Sequence, residues 1–228
     1  MAHPAMRCLG RTLSMSALGA ALVFSAGACN NQTGFSGSVG NTPNGPPLAS
    51  YEILGTVGTP FTATVSDAQS SWTFQGNVPL SVVICNNVLP ARIIATKTTS
   101  NGNLLSVETF LPGSGVGDLQ STSAPFGTVS VQAGGTLSSI SSPASPDLRI
   151  FAAGPANQRY SALVEDTTTG FIISARAPTL ILFDSPDGKV DATFFGNGQF
   201  PVFDLNMTLG GSVVATVVNG PNATIREP

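Results

Sequence analysis

The chain has 228 residues, of which 42% are hydrophobic and 9% charged, with a formal net charge of −3. Soluble domains carry about 25% charged residues, so Ser, Thr, Asn, Gln and Gly must cover most of this surface. The single histidine is His3 and the only lysines are Lys97 and Lys189; with no basic patch to neutralise phosphates, a nucleic-acid partner is not expected.

Residues 1–28 read as a signal peptide. Arg7 and Arg11 supply a positive start, Leu13 to Phe24 is mostly apolar, and small residues lead to Cys29. The apolar stretch is shorter than the roughly 20 residues of a membrane span. Ala26-Gly27-Ala28-Cys29 resembles the lipobox of bacterial lipoproteins, with Ala26 where that pattern commonly has leucine. The resemblance implies cleavage before Cys29, lipidation of Cys29 and a membrane partner held through the lipid. Asn30 after the cysteine implies export to the outer membrane. Ordinary signal cleavage near Ala28 is the alternative. In both cases His3 would leave with the peptide, and the mature chain would lack the imidazole of a Ser-His-Asp or Cys-His site or of a histidine zinc site.

Residues 29–50 are expected to form a flexible tether. From Asn30 to Ser50 there is no charged residue, and Asn, Gly, Ser and Pro predominate. Such a stretch cannot bury enough apolar surface to offset its chain entropy. A flexible chain of that length spans roughly 25 Å on average.

From Tyr51 onward helical periodicity is absent, and short β-rich runs alternate with Gly, Pro, Asn and Asp punctuation. Seven strands are expected in a first half, near 52–55, 61–66, 71–76, 80–86, 91–98, 104–111 and 126–133. Seven more are expected near 149–153, 159–165, 170–175, 180–184, 190–196, 203–209 and 212–219. The run Phe203 to Leu209 alternates strictly, and Gly210-Gly211 supplies the positive φ of a tight hairpin. Residues 61–84 align without a gap to 160–183. Ala63/Ala162, Val65/Val164, Asp67/Asp166 and Pro79/Pro178 are identical, and Trp72/Phe171 and Phe74/Ile173 are similar. Upstream, Glu52-Ile53-Leu54 matches Arg149-Ile150-Phe151 with a small gap. The fold expected is all-β: a tandem or pseudo-duplicated β-sandwich, immunoglobulin-like or jelly-roll-like, with one sandwich over 51–135 and one over 148–228. A single sandwich built from both halves is the alternative. Leu180 to Gly188 resembles the strand and turn of bacterial pre-peptidase C-terminal β-sandwich domains, which implies a secreted β accessory module.

Candidate sites are few. Cys85 ends the apolar run Leu80 to Cys85 and is expected to be a buried hydrophobe; it would pair with Cys29 only if Cys29 carried no lipid. Asp184, Asp187 and Asp191 cluster around Pro186-Asp187-Gly188, either as calcium ligands or as a plain hairpin turn. Glu52, Glu108, Glu165 and Glu227 are the carboxylates from which a hydrolase would draw a catalytic pair. Trp72 and Phe74 are expected in the core, with a sugar platform as the rival reading. Arg92 and Arg176 are expected at strand surfaces. Residues 112–125 are expected to be a long loop, since Gly210-Gly211 closes the comparable hairpin of the second half. Within it Val116, Asp118, Leu119 and Gln120 are the candidate ligand-binding residues. The expected function is that of a non-enzymatic, membrane-tethered lipoprotein of the cell envelope, needing no cofactor, whose partners are the membrane and an envelope protein or glycan. The alternatives are a carbohydrate-binding module and a carboxylate-based hydrolase.

Overall fold

A computed structural model describes residues 49–85, 89–111, 115–137, 147–184, 186, 188–196, 203–220 and 222–228. Cys29, the signal peptide and the tether up to residue 48 lie outside them. The described residues are all-β, with no helix among them. The first half contributes β1 (Ser50–Gly55), β2 (Pro60–Ser66), β3 (Ser71–Asn77), β4 (Leu80–Cys85), β5 (Ala91–Lys97), β6 (Leu105–Leu111), β7 (Gly115–Thr122) and β8 (Thr128–Ala133). The second contributes β9 (Asp147–Ala153), β10 (Arg159–Glu165), β11 (Gly170–Arg176), β12 (Thr179–Asp184), β13 (Asp191–Gly196), β14 (Phe203–Leu209), β15 (Ser212–Gly220) and β16 (Asn222–Arg226).

The strands form three sheets. One has eight strands in the order β15-β14-β9-β12-β4-β1-β6-β7, and two have four, β3-β2-β5-β8 and β11-β10-β13-β16. Every place in the first half is filled in the second by the strand eight positions later. The equivalence also fixes the register. Tyr51 pairs with Val82 and Ile150 with Ile181, so β1 matches β9 with the same offset as residues 61–84 and 160–183, and the gap expected upstream is not needed. Both halves carry one strand more than the sequence reading assigned: β7 in the first and β16 in the second.

The halves meet where β4 and β12 pair in parallel, Val82 opposite Leu180 and Ile84 opposite Leu182. One core gathers Leu80, Val82 and Ile84 with Trp72, Phe74, Leu180 and Leu182. The other gathers Val83 and Cys85 with Ile181, Phe183, Phe194 and Phe203. Successive side chains of a strand point to opposite faces. The two cores therefore lie on opposite faces of the shared sheet, each roofed by its own four-stranded sheet. β4 and β12 are covered on both faces, which is why each is a largely apolar run rather than an alternating one. Strands with only one covered face alternate instead, as Phe61, Ala63 and Val65 do along β2.

Local chemistry sets the turns. Asp67 Oδ1 accepts from the backbone N–H of Gln69 (2.8 Å) and Ser70 (2.7 Å), closing the β2–β3 hairpin. Asp166 Oδ1 does the same for Thr168 (2.8 Å) and Thr169 (2.6 Å) between β10 and β11. An aspartate that satisfies two turn donors accounts for the same residue at both hairpins. Gly210 and Gly211 take φ of 57° and 83°, as the two-residue turn between β14 and β15 requires.

Candidate functional site

Val116, Asp118, Leu119 and Gln120 do not form a loop. They lie on β7, which pairs antiparallel with β6, Glu108 opposite Leu119 and Val107 opposite Gln120. The correction has a physical cause. The ladder shifts register between Glu108 and Phe110, and Gly117 sits there against Thr109, where a Cβ would collide with the Thr109 hydroxyl. Glycine in this strand marks a bulge and a close approach, and in sequence it reads as a turn. Gln120 Oε1 accepts from the Ser130 N–H of β8 (3.3 Å), linking the edge of the large sheet to the edge of the small one. Asp118 and Leu119 are exposed. The hairpin comparable to β14–β15 is thus β6–β7, and β8 corresponds to β16.

The other candidates separate. Of the three aspartates proposed for calcium, Asp191 Oδ2 lies 3.4 Å from Arg226 Nε, while the side chains of Asp184 and Asp187 fall outside the described residues. Among the described residues no group of three or more His, Cys, Asp or Glu could hold a metal. Trp72 is 1% exposed and belongs to the first core, so it is no sugar platform. Cys85 is fully buried, and burial with the nearby Asp166 charge pushes its thiol far above the ordinary range. That thiol is a packing group and not a nucleophile.

The tertiary structure builds two related grooves that no single stretch of sequence announces. Each small sheet covers its own half of the large one and the adjoining strand of the other half. Beyond its edge strand, the outward face of the other half's strands forms a floor. In the first groove the edge of β3 borders a floor of β9 and β14, and the lining includes Gln75, Asn77, Arg149, Phe151, Asn206 and Thr208. Its volume is about 480 Å³, within the usual range of ligand sites. Arg149 Nη1 donates to the Thr73 carbonyl of β3 (3.0 Å), joining floor to edge. Phe151 is 40% exposed, and Asn206 Oδ1 is buried without a hydrogen-bond partner.

The related place in the other half, where the end of β11 meets β1 and β4, is smaller. Glu52, Ser81, Asn157 and Arg176 with apolar neighbours leave about 10 Å³, room for one water. Glu52 stands opposite Glu108 on the floor. Burial raises the Glu52 pKa above the ordinary glutamate value. Arg176 opposes the shift, Glu108 adds to it and Arg159 opposes it. By the equivalence of pairings, Phe151 and Asn206 of the open groove occupy the places of Glu52 and Glu108. Where one place carries two carboxylates, the other carries a ring and an amide.

Lys97 has a structural role that the sequence reading did not assign to it. Its side chain is 1% exposed, and Nζ donates to the carbonyls of Asn101 (2.9 Å), Asn103 (2.8 Å) and Ser123 (3.2 Å). The ammonium fastens two connections, 98–104 and 123–127, to the end of β5. The only hint in the sequence is a lysine at a position whose parity along β5 is that of Ile93 and Ala95.

No helix among the described residues is long and apolar enough to cross a membrane. Comparison with protein-family models, curated proteins and solved structures finds no match to this chain.

Proposed function

We propose that the chain is an exported, membrane-tethered lipoprotein of the bacterial cell envelope, anchored at Cys29, whose β body binds a ligand without acting chemically on it. The observation that carries the binding role is the groove of about 480 Å³ between the β3 edge and the β9–β14 floor. It combines an exposed ring, amides and a hydroxyl (Phe151, Gln75, Asn77, Asn206 and Thr208), the mixture of apolar wall and few polar groups typical of ligand sites. The lipobox-like Ala26-Gly27-Ala28-Cys29 supports the anchor. Two experiments test the two parts. Cys29→Ser releases the protein from membranes to the soluble fraction, and wild type already soluble overturns the anchor. Phe151→Ala and Asn206→Leu weaken binding in a screen of envelope glycans and peptides, and wild-type binding that neither change affects overturns the groove.

A second reading rests on Glu52 and Glu108. They are directly opposite on neighbouring strands, where Cβ atoms lie about 5 Å apart, and one of them is held toward its protonated form. A pair of that kind suits glycoside hydrolysis. It ranks second because the space beside Glu52, about 10 Å³, has no room for a sugar ring. Hydrolysis of any glycoside in a chromogenic panel, abolished by Glu52→Gln or Glu108→Gln, would promote it.

A further inference from the structure

Three turns close at the same end of the body. β1 ends there at Gly55, β6 begins there opposite it, and β7 ends there with Thr122 opposite Leu105. β9 is antiparallel to β12, β12 parallel to β4 and β4 antiparallel to β1, so β9 ends there too. In each turn the N–H of the fourth residue donates to the carbonyl of the first: Thr59 to Thr56 (3.1 Å), Gln158 to Pro155 (3.0 Å) and Gly127 to Ala124 (3.0 Å). The third residue has positive φ in all three, 80° at Gly58, 65° at Asn157 and 50° at Phe126. A type II turn requires this, and glycine or asparagine normally supplies it. Two of the turns follow the rule. The other holds a phenylalanine in the left-handed region, where its bulk is strained and either of those residues would be less so.

Packing does not offset the strain, because Phe126 is 58% exposed. The surroundings fix its turn instead. The Phe126 N–H donates to the Thr99 carbonyl (3.0 Å), and Lys97 ties Ser123 to Asn101 and Asn103 through their carbonyls. Strain that the surroundings over-determine in this way gathers at functional sites. Two more apolar side chains stand at this end. Val57, 77% exposed, is the second residue of its turn, and Leu104, 43% exposed, exchanges hydrogen bonds with Thr56. The connections 56–59, 98–104 and 123–127 contain no charged residue. In the second half Ala156 takes the place of Val57, and the exposed Arg159 and Asp204 lie at that end. The apolar tip belongs to the first half.

The length of chain before β1 says what this tip can reach. β1 starts at Ser50, at the opposite end of the body, and a strand of six residues is roughly 20 Å long. A flexible chain with the length of residues 29–49 spans roughly 25 Å on average, enough to run back along the body. A body held at Cys29 can therefore bring its tip to the same bilayer, at a linker length for which effective concentration is high. We propose that Phe126, with Val57 and Leu104, is a membrane-insertion tip that dips into the phospholipid bilayer holding the Cys29 lipid and sets which end of the body faces it. The inference rests on the reading of Cys29 as the anchor and adds a second contact to it. Burial in the acyl boundary supplies the apolar contact that the fold denies to these three side chains.

The test puts an indole at the tip by Phe126→Trp. Protein purified from membranes is reconstituted in phosphatidylcholine vesicles with brominated acyl chains, which quench an indole on contact. The introduced indole is expected to be quenched, blue-shifted and protected from aqueous iodide. Trp72, 1% exposed, supplies the unquenched signal of the wild type. In a Cys29→Ser chain the introduced indole is quenched as well, at higher lipid concentration. In vesicle sedimentation of the Cys29→Ser chain, Phe126→Asn raises the lipid needed for half-binding about tenfold. Phe126→Asn is also expected to raise the melting temperature by about 3 °C, because asparagine accepts the left-handed backbone. An indole quenched by iodide and not by bromine overturns the tip and leaves the anchor standing. Wild type found soluble, with the Cys29→Ser indole still quenched by bromine, overturns the anchor and keeps the tip. An indole shielded from both quenchers, in a dimer that Phe126→Asn separates, assigns the tip to a second copy and overturns the lipid. A melting temperature lowered by Phe126→Asn shows that the ring serves the fold and overturns the proposal.

Discussion

Asp67 and Asp166 show how much one carboxylate can decide. Each is buried, and each accepts two turn N–H groups through one oxygen. Removing the acceptor leaves two donors without it in a turn that cannot solvate them freely. Asp67→Ala and Asp166→Ala are each expected to cost about 2 kcal/mol, while the asparagine variants cost less because an amide oxygen still accepts; denaturant melts check both. Lys97→Met strands three carbonyls at once and is expected to cost about 3 kcal/mol. Glu52 acts in the opposite sense. Its folded pKa is raised, so between the ordinary value near 4.5 and the raised value the folded state binds more protons than the unfolded one. Stability therefore falls as pH rises through that window. Glu52→Gln is expected to raise the melting temperature at neutral pH and to flatten the pH dependence above 4.5; thermal melts across that range decide it.

At the scale of elements, β7 carries a consequence opposite to the one its composition implies. As a loop, residues 112–125 could be replaced by Gly-Gly with the fold retained. As a strand, β7 pairs along β6 from Leu105↔Thr122 to Leu111↔Gly115, and through Gln120 it reaches β8. The replacement strips the ladder from β6 and exposes its edge to intermolecular pairing. The expected outcome is loss of soluble folded protein, read by expression and circular dichroism. Gln120→Ala is milder: it frees only the Ser130 N–H, and a shift of under about 1.5 kcal/mol is expected. Gly117→Ala drives a Cβ into Thr109 and is expected to cost more than the Gln120 change.

For the whole molecule, the parallel β4–β12 pair is the decisive contact. Each of these strands gives one face to its own core and the other to the core of the opposite half. Cutting the chain between the halves would expose Val83 and Cys85 on one piece and Leu180 and Leu182 on the other. The two cores are therefore expected to melt as one. A calorimetric scan should show a single transition, and Ile181→Ala should lower that same transition by the roughly 2–5 kcal/mol of a large-to-small core change. Two resolved transitions, with only one displaced by Ile181→Ala, would show that the halves are energetically separate.

What the sequence determined is what local chemistry and strand periodicity encode. Alternation along β2 and β14, the matched aspartates at the hairpins and the Gly210-Gly211 turn specify strands and turns wherever they are read. The apolar runs Leu80 to Cys85 and Leu180 to Phe183 announce strands buried on both faces. β16 and β7 escaped notice because one follows Gly220-Pro221 and the other contains a bulge glycine, where local composition signals a loop and only the partner strand reveals the ladder. Both grooves were illegible for a different reason. Phe151 and Gln75, or Glu52 and Arg176, come together only after the parallel pairing of β4 with β12 puts the two cores on opposite faces of one sheet. Long-range pairing carries no local signature, so the tertiary structure alone decided which strand edge faces a floor and how much space each of the two places leaves.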